Sequence, residues 1–463
     1  MERTRLENKV IFASLPVPRA VGVMVLPAIV SQIIHVVYNL ADTWFVGLTG
    51  DPNTVAAISL CLPLYNILTG LSNLFGVGGA SVIARSMGYG AAEKARRAFS
   101  LSAWAAGAVS LVYAIVLIFL ARPLLLLIGG DSGDIDYAVG YTVVTIVLGG
   151  VPTVLAATLS NLIRATGQSH KAAVGMTLGA VLNIALDPLF MFVLLPQGNE
   201  VMGAAIATAL SNAVSLAYFV VYILRHRENE TLSLILTSGR GTGLLLADIT
   251  KCGLPGFTMV ALSMLSNCFL NATIAGFGGG TAVAGLGIVR KIDSLAYAVN
   301  QGITQGMLPL VAFCYASGRR ERMKSVIAFS TAGTVAFSLL CSTLSYIFAP
   351  ELVAAFLRDG ETICFGTAFL RVLCLAIPIY SVTFVIIAVF QAVGRSLEPF
   401  VLSVLHKGSF DILLLFLIKA AFGAERVLWA TPVTETMALA VSLILLYRLL
   451  HQRNETGIGE VIR

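Results

Sequence analysis

Charge is scarce in this sequence. Only 12% of its 463 residues are Asp, Glu, Lys or Arg, well below the ~25% that is typical of soluble domains. Hydrophobic residues make up 57% of the chain, and the mean hydropathy is +0.88. This balance excludes an ordinary soluble domain and indicates a polytopic membrane protein.

Motifs of catalysis and of nucleic-acid binding are also missing. The seven cysteines include no CxxC pair and no Cys/His cluster at metal-ligand spacing, so we interpret them as small core residues. The net charge of +6 is not accompanied by a basic stripe or an aromatic-interleaved motif. The segment SGRGTG lacks the GxxxxGK[ST] pattern of a phosphate loop. We therefore predict no enzyme activity, no cofactor, no metal and no nucleic-acid partner.

Twelve long apolar segments follow one another along the chain. Segments of this length without period-2 alternation are helices, because only helices and closed barrels satisfy the backbone in lipid. We predict an all-α polytopic membrane protein with twelve transmembrane helices. The segments lie roughly at 20–46, 54–84, 98–120, 138–162, 172–195, 201–224, 249–275, 281–312, 325–348, 366–390, 397–420 and 427–447.

The basic residues are distributed unevenly over the predicted loops. With an even number of spans, both termini lie on one side, and that side carries 22 of the 30 Lys and Arg residues, while the other side carries four. By the positive-inside rule, the sequence predicts cytoplasmic termini and a multi-pass cell-membrane protein.

The sequence contains an internal repeat. Residues 26–98 align without a gap onto residues 254–326 at a constant offset of 228. The identical positions include Pro27 and Pro255, Gly78 and Gly306, and Glu93 and Glu321. Because each copy holds six spans, the two copies run in the same direction through the membrane, as in two-lobed transporters. The predicted parts are an N-lobe (1–224), a cytoplasmic linker (225–248) and a C-lobe (249–463).

Two carboxylates interrupt the predicted spans. Asp42 lies in SQIIHVVYNLADTWFVG and Asp187 lies in GAVLNIALDPLFMFVLL. An acid at the bilayer centre costs roughly 2.5 to 3.5 kcal/mol on insertion scales, and such residues mark ion or proton pathways. The repeat offset places Leu270 opposite Asp42 and a leucine near Leu414 opposite Asp187. The acids therefore belong to one lobe only, and we predict that they bind an ion or proton.

Each acid has a polar neighbour on the same helical face. Tyr38 precedes Asp42 by four residues, and Asn183 precedes Asp187 by the same spacing. If the two faces meet, the desolvated carboxylates titrate as a coupled pair and can take up a proton near neutral pH.

Pro188 and His35 are further candidates beside these acids. Pro188 leaves the carbonyl one turn back without its hydrogen bond, which predicts a helix kink at the acid. His35 lies one turn before Asn39, where it is either a proton relay or a packed polar residue.

Several motifs in this order resemble the multidrug and toxic compound extrusion (MATE) transporters over nearly the whole chain. They are YNLADTWFVG, LNIALDPLFMFVL with GAAIATALSN, GITQGMLPLVAFCYASG and FQAVGRS. The resemblance implies two six-helix lobes around a central cavity. It also implies exchange of entering H⁺ or Na⁺ for organic, often cationic, compounds that leave the cell.

The resemblance is closest to the DinF-like branch, in which acids on the first and fifth helices share a site in the N-lobe. Asp42 and Asp187 occupy those motif positions. The C-lobe acids of other branches are replaced by Asn267 or Asn271, and no acid lies around Ser381, which weighs against a sodium site in the C-lobe. The polar residues that the branch places around its acids match Tyr38, Asn161, Asn183 and Thr208.

The predicted C-lobe spans carry charges of their own, for which we expect a network of ion pairs. Structural pairing and a role of Lys291 with Asp293 in lining or gating the cavity both remain open. The network comprises Lys291, Asp293, Arg371, Lys407, Asp411 and Glu435. Aromatic and thioether side chains suit amphipathic cations, although each is also an ordinary packing residue. The cavity candidates are Tyr65, Asn66, Met176, Met259 and Tyr297.

The sequence thus predicts a monomeric secondary antiporter for small organic compounds, embedded in the lipid bilayer. The main alternative is a lipid-linked oligosaccharide flippase of the same superfamily, although flippases often have fourteen spans and a cationic cavity. A channel is a second alternative, and it differs from an exchanger because its ion flux needs no counter-substrate.

Overall fold

In the computed structural model the chain is a bundle of long helices. The structure describes residues 10–48, 52–128, 135–196, 198–226, 231–236, 239, 241–357 and 359–451. These residues form twelve membrane-length helical spans and no β-strand, which confirms the predicted fold class.

Six spans make up the N-lobe. The fourth span bends by 45° at Gly149, between its two straight parts. The bounds of the six N-lobe spans are α1 Val17–Leu48, α2 Pro52–Gly88, α3 Ala92–Ile128, α4 Ile135–Leu148 with Gly150–Ala165, α5 Ser169–Leu194 and α6 Glu200–Arg225.

Six further spans make up the C-lobe. A short helix, Ala349–Ala354, lies between the third and fourth of them. The bounds of the six C-lobe spans are α7 242–278, α8 280–316, α9 Arg320–Ile347, α10 Gly360–Val393, α11 Leu397–Phe422 and α12 Ala424–His451.

Helices α7 and α8 lie within Thr242–Ala316 and are separated by a kink at a single residue, Gly279. Gly279 has φ 60° and ψ −154°, a conformation that glycine adopts readily because it lacks a Cβ. Helix α7 begins at Thr242, inside the segment predicted to link the lobes. The lobe boundaries themselves stay a prediction.

The two lobes meet through backbone contacts in one half of the bundle. We call this half the basic end, since it holds the start of α1, the end of α2 and Arg85. A Cβ atom on Gly253 of α7 would lie 1.8 Å from the carbonyl oxygen of Leu74 on α2. A Cβ on Gly306 of α8 would lie 2.7 Å from the carbonyl oxygen of Met24 on α1. Only glycine permits either approach.

Residues related by the internal repeat make corresponding contacts between the lobes. Gly78 of α2, the repeat partner of Gly306, faces α7, and a Cβ there would lie 2.1 Å from the carbonyl oxygen of Ile249. Gly302 of α8 packs on Ile29 of α1 in the same manner, and a Cβ on Gly302 would lie 2.6 Å from the Cα of Ile29. The α2/α7 and α8/α1 contacts are thus related by the pseudo-twofold axis. We call Gly78, Gly253, Gly302 and Gly306 the glycine seam.

Polar contacts join the lobes in the same half. Ser81 Oγ of α2 donates to the carbonyl oxygen of Gln391 on α10 at 2.5 Å. The guanidinium of Arg85 lies 3.6 Å from the carboxylate of Asp248 on α7. The lobes are therefore closed against each other at the basic end.

Candidate functional site

Asp187 lies on α5 and is fully buried, with 0% of its surface exposed. Asn183 Nδ2, one turn back, donates to Asp187 Oδ1 at 3.2 Å and also contacts Thr208 Oγ1 of α6 at 3.4 Å. Within the described part of the chain, Asp187 Oδ2 has no hydrogen-bond partner. This oxygen is available to a proton or a cation, because a buried polar atom is normally paired.

The helix changes its winding at Pro188. Residues up to Pro188 are α-helical, whereas Leu189–Leu194 form a π-helix. Proline has no N–H group, so the carbonyl of Ile184 loses its usual donor and the following turns rewind. Single π-helical turns occur frequently at functional sites, and this one begins directly after the acid.

The structure brings Asp42 to the same site. Asp42 is half-buried on α1, and its carboxylate is close enough to that of Asp187 for their charges to interact. The hydroxyl of Tyr38, on the same face of α1, interacts with both acids and is hydrogen-bonded to Tyr65 of α2. Two predicted ion-binding residues and one predicted cavity residue are thus neighbours. We call Asp42, Asp187 and their polar neighbours the acid site.

Three residues of this site could not be identified from the sequence. Tyr141 of α4 interacts electrostatically with both Asp42 and Asp187. Asn212 Nδ2 of α6 donates to Thr153 Oγ1 of α4 at 2.9 Å, and both groups bond the Tyr65 hydroxyl. A tyrosine in an apolar helix carries no signal of its own, and the π-helix that follows Tyr141, Val143–Leu148, is visible only in the structure.

The other two predicted supporting residues are His35 and Asn161. The His35 ring packs against Tyr38 with 4.9 Å between ring centroids, and its carbonyl oxygen accepts from Asn39 Nδ2 at 2.9 Å. Asn161 lies towards the basic end, where its Oδ1 accepts from Arg164 Nη1 at 2.9 Å. The structure thus places His35 beside Tyr38 and places Asn161 with an arginine.

The C-lobe acids have well-defined hydrogen-bond partners. Asp411 of α11 accepts from Ser266 Oγ of α7 and, at 3.2 Å, from Thr434 Oγ1 of α12. Asp293 of α8 accepts from the Tyr380 hydroxyl of α10 at 2.8 Å. Each acid therefore ties two or three C-lobe helices together.

Glu435 has a partner that the sequence did not predict. Its carboxylate hydrogen-bonds His406 Nδ1, and both side chains are at most 1% exposed. Among the predicted basic partners, Arg371 lies over the Tyr346 ring at 5.6 Å, while Lys291 is half-buried. The side chain of Lys407 lies outside the described residues. Hydroxyls and a histidine are thus among the partners of these acids, and the expected pairing with Lys and Arg stays a prediction.

A cavity of about 60 Å³ lies between the lobes. Met259, a predicted cavity residue, lines this cavity. Gln301 also lines it, and Gln301 Nε2 donates to the hydroxyl of Tyr297, a second predicted cavity residue, at 3.0 Å. Met176 instead packs on the core of the N-lobe, and Asn66 is exposed. The amide side chains that line the cavity are Asn73, Asn161, Gln301, Gln305 and Gln391.

Comparison with known proteins gives consistent matches. The model of the MatE family matches residues 27–189 and 255–417, two stretches that start and end 228 residues apart, like the internal repeat. Multidrug export protein MepA of Staphylococcus saprophyticus is 28% identical over 91% of this chain and 92% of its own. MepA of Staphylococcus aureus is 27% identical over 97% of this chain and 98% of its own.

Solved structures share the fold. A crystal structure of MATE in complex with MaD3S superposes with a TM-score of 0.85 at 22% identity, covering 96% of this chain and 98% of the other. MATE in the straight conformation gives the same TM-score, identity and coverage. The arrangement of twelve helices in two lobes is therefore shared with these transporters.

Proposed function

The chain belongs to the MatE family, and from this premise we propose that it is a secondary active antiporter for multidrug efflux. It exports organic, chiefly cationic amphipathic, compounds in exchange for inward H⁺ or Na⁺. The names of the MepA relatives support the export of drugs. The site of exchange is the acid site in the N-lobe.

One observation carries this proposal. Asp187 is fully buried in a membrane-spanning helix, interacts with the charge of Asp42, and keeps one carboxylate oxygen without a partner in the described structure. Intramembrane acids are costly and serve ion or proton pathways. Two such acids near each other form a site that a cation or a proton neutralises.

The lobe arrangement supports alternating access in the cell membrane. With the basic end in the cytoplasm, as the distribution of Lys and Arg predicts, the closed glycine seam blocks the inner side. The acid site lies beyond the seam towards the outer ends of α1 and α5. The described state is then closed on the inner side, and an inward-open state requires the seam to part.

Neutralisation of the acids drives the cycle. A proton on the pair removes negative charge, weakens the hold on a cationic compound and lets α1 bend and repack. Pro27 of α1 and Pro188 of α5 interrupt helical hydrogen bonding and supply places to bend. One charge moving down 100 mV supplies ~2.3 kcal/mol, which is enough to drive a moderate uphill step.

The test is efflux of ethidium or norfloxacin from proteoliposomes with separately imposed H⁺ and Na⁺ gradients. We expect efflux with at least one gradient and its arrest when that gradient is collapsed. Efflux that persists without any gradient contradicts antiport. Absence of efflux with both gradients points to a lipid-linked oligosaccharide flippase.

A further inference from the structure

Arg164 is a buried arginine at the boundary between the lobes. It lies in the last turn of α4, and only 2% of its surface is exposed. Its Nη1 donates to Asn161 Oδ1 at 2.9 Å and to Gln305 Oε1 of α8 at 2.6 Å. Both acceptors are neutral, and within the described residues Arg164 forms no ion pair. A buried guanidinium normally pairs with a carboxylate or phosphate.

The hydrogen bonding of Arg164 is also incomplete. Its Nε is buried and has no partner within the described residues. The remaining contact, from Nη2 to Ser160 Oγ, is 3.5 Å long. Arg164 thus has unused capacity to bind an acceptor, and a carboxylate is the acceptor that its planar fork matches best.

A cavity lies directly beyond the two acceptors of Arg164, although Arg164 itself is not among its lining residues. Asn161 and Gln305, the two acceptors of Arg164, both line the 60 Å³ space between the lobes. Their carbonyl oxygens face the guanidinium, so their amide nitrogens remain as donors. Asn73 and Gln391 supply further amides from α2 and α10, and no carboxylate is among the lining residues that the structure describes.

We propose that Arg164 and these amides form a carboxylate-binding subsite at the floor of the cavity, through which the protein carries zwitterionic compounds. The carboxylate of the compound binds Arg164, and its cationic group faces Asp42 and Asp187. This proposal rests on the proposed efflux function and specifies a substrate class for it.

Size and spacing fit such a compound. The cavity has room for several water molecules, and therefore for a carboxylate group. Gln32 of α1, whose Nε2 donates to Gln305 Oε1 at 3.1 Å, precedes Asp42 by ten residues. At 1.5 Å per residue, this places the acid about 15 Å along α1 from the floor. Drug-sized zwitterions span comparable distances.

Binding at this subsite also reaches the contact between the lobes. Gln305 Oε1 accepts from Arg164 of α4 and from Gln32 of α1, and so links the C-lobe to two N-lobe helices. A carboxylate on Arg164 replaces the neutral Gln305 oxygen with a charged acceptor. The compound then releases the bond between α4 and α8, while the bond from Gln32 of α1 to Gln305 remains.

The experiment compares norfloxacin, which carries an amine and a carboxylate, with its ethyl ester, which keeps only the amine. Equilibrium binding of each compound is measured on the full chain in lipid nanodiscs. Arg164→Gln removes the charge, Arg164→Lys retains it, and Arg225→Gln removes a charge from an exposed helix end. Efflux of both compounds from proteoliposomes is measured in parallel.

We expect Arg164→Gln to weaken norfloxacin binding about tenfold or more, the usual effect of losing a charge-assisted hydrogen bond. Ester binding should stay within about twofold, which also shows that the variant folds. Arg164→Lys should retain part of the preference, and Arg225→Gln all of it. Equal losses for both compounds, including loss of all binding, would overturn the subsite. If binding discriminates but neither compound is exported, the efflux function fails and the subsite stands.

Discussion

Two buried acids, Asp187 in the N-lobe and Asp411 in the C-lobe, are hydrogen-bonded differently. In the N-lobe, Asp187 has one oxygen bonded to Asn183 and the other without a partner in the described structure. In the C-lobe, Asp411 accepts from two hydroxyls on neighbouring helices. A satisfied carboxylate fixes the helices around it, whereas an unsatisfied one is available to gain a ligand. We propose from this contrast that Asp187 exchanges the coupling ion, whereas Asp411 supports the packing of its lobe.

Replacing Asp187 by Asn should have the largest effect. The amide keeps the volume of the side chain but cannot take up and release a proton, so gradient-driven efflux should fall to the level of empty vesicles. The measurement is ethidium efflux from proteoliposomes under H⁺ and Na⁺ gradients.

Asp411→Asn is the matched control in the other lobe. It should retain coupled efflux, although with lower thermal stability, since Ser266 and Thr434 lose a charged acceptor. Near-normal efflux by both Asp42→Asn and Asp187→Asn would contradict the role of the acid site. Loss of coupling in Asp411→Asn alone would reverse the assignment of the lobes.

Gly253→Ala should be the next most severe change. The added Cβ would lie 1.8 Å from the carbonyl oxygen of Leu74, so the seam cannot close without a backbone shift, for which overpacking typically costs about 1 to 3 kcal/mol. We expect most of the efflux to be lost while both acids remain intact. Gly243→Ala is the control on the same helix, because a Cβ there meets no atom within 4 Å. Equal activity of the two variants would show that closure does not depend on this contact.

His406→Ala should act on stability. It leaves the carboxylate of Glu435 buried without this partner, and losing the partner of a buried hydrogen-bonding group costs about 1 to 3 kcal/mol. Thermal unfolding of the purified protein should show a clearly lower midpoint. Asp187→Asn should not lower that midpoint, since its carboxylate is already incompletely paired. A larger loss of stability in Asp187→Asn would remove the distinction between the lobes.

The smallest effect is expected for single hydroxyls. Thr208→Val removes one contact of Asn183, at 3.4 Å, and the loss of about 0.5 to 1.5 kcal/mol corresponds to a roughly two- to tenfold weaker apparent affinity for the coupling ion. The ion dependence of efflux measures it. Thr434→Val, which removes a contact of Asp411, should change stability and leave the ion dependence unaltered. The same shift in both variants would argue that the two acids have similar roles.

Most of the architecture could be predicted from the sequence, because apolar length alone defines a membrane span. Asp42 and Asp187 were identifiable for the same reason, since acids stand out in apolar segments. Tyr141 was not, because its proximity to the acids depends on how α4 and α1 pack. Such contacts between helices have no signature in either helix alone.

The C-lobe shows where residue type misleads. Arg371 was expected to pair with an acid, yet its guanidinium lies over the Tyr346 ring, an arrangement that cation–π attraction favours. His406 lies in an apolar helix where no spacing rule marks it. Its partner Glu435 is 29 residues away, and only the packing of α11 on α12 brings the two together.

The glycine seam has a consequence for how such a protein tolerates mutation. Every substitution of glycine adds at least one Cβ atom, so Gly78 and Gly253 have no conservative replacement where they meet the partner backbone. The amides and Met259 around the cavity have many alternatives of similar size. We therefore expect that substitutions in the cavity wall can change which compounds the protein accepts while the seam still closes. We also expect the glycine seam to tolerate fewer substitutions than the wall of the cavity.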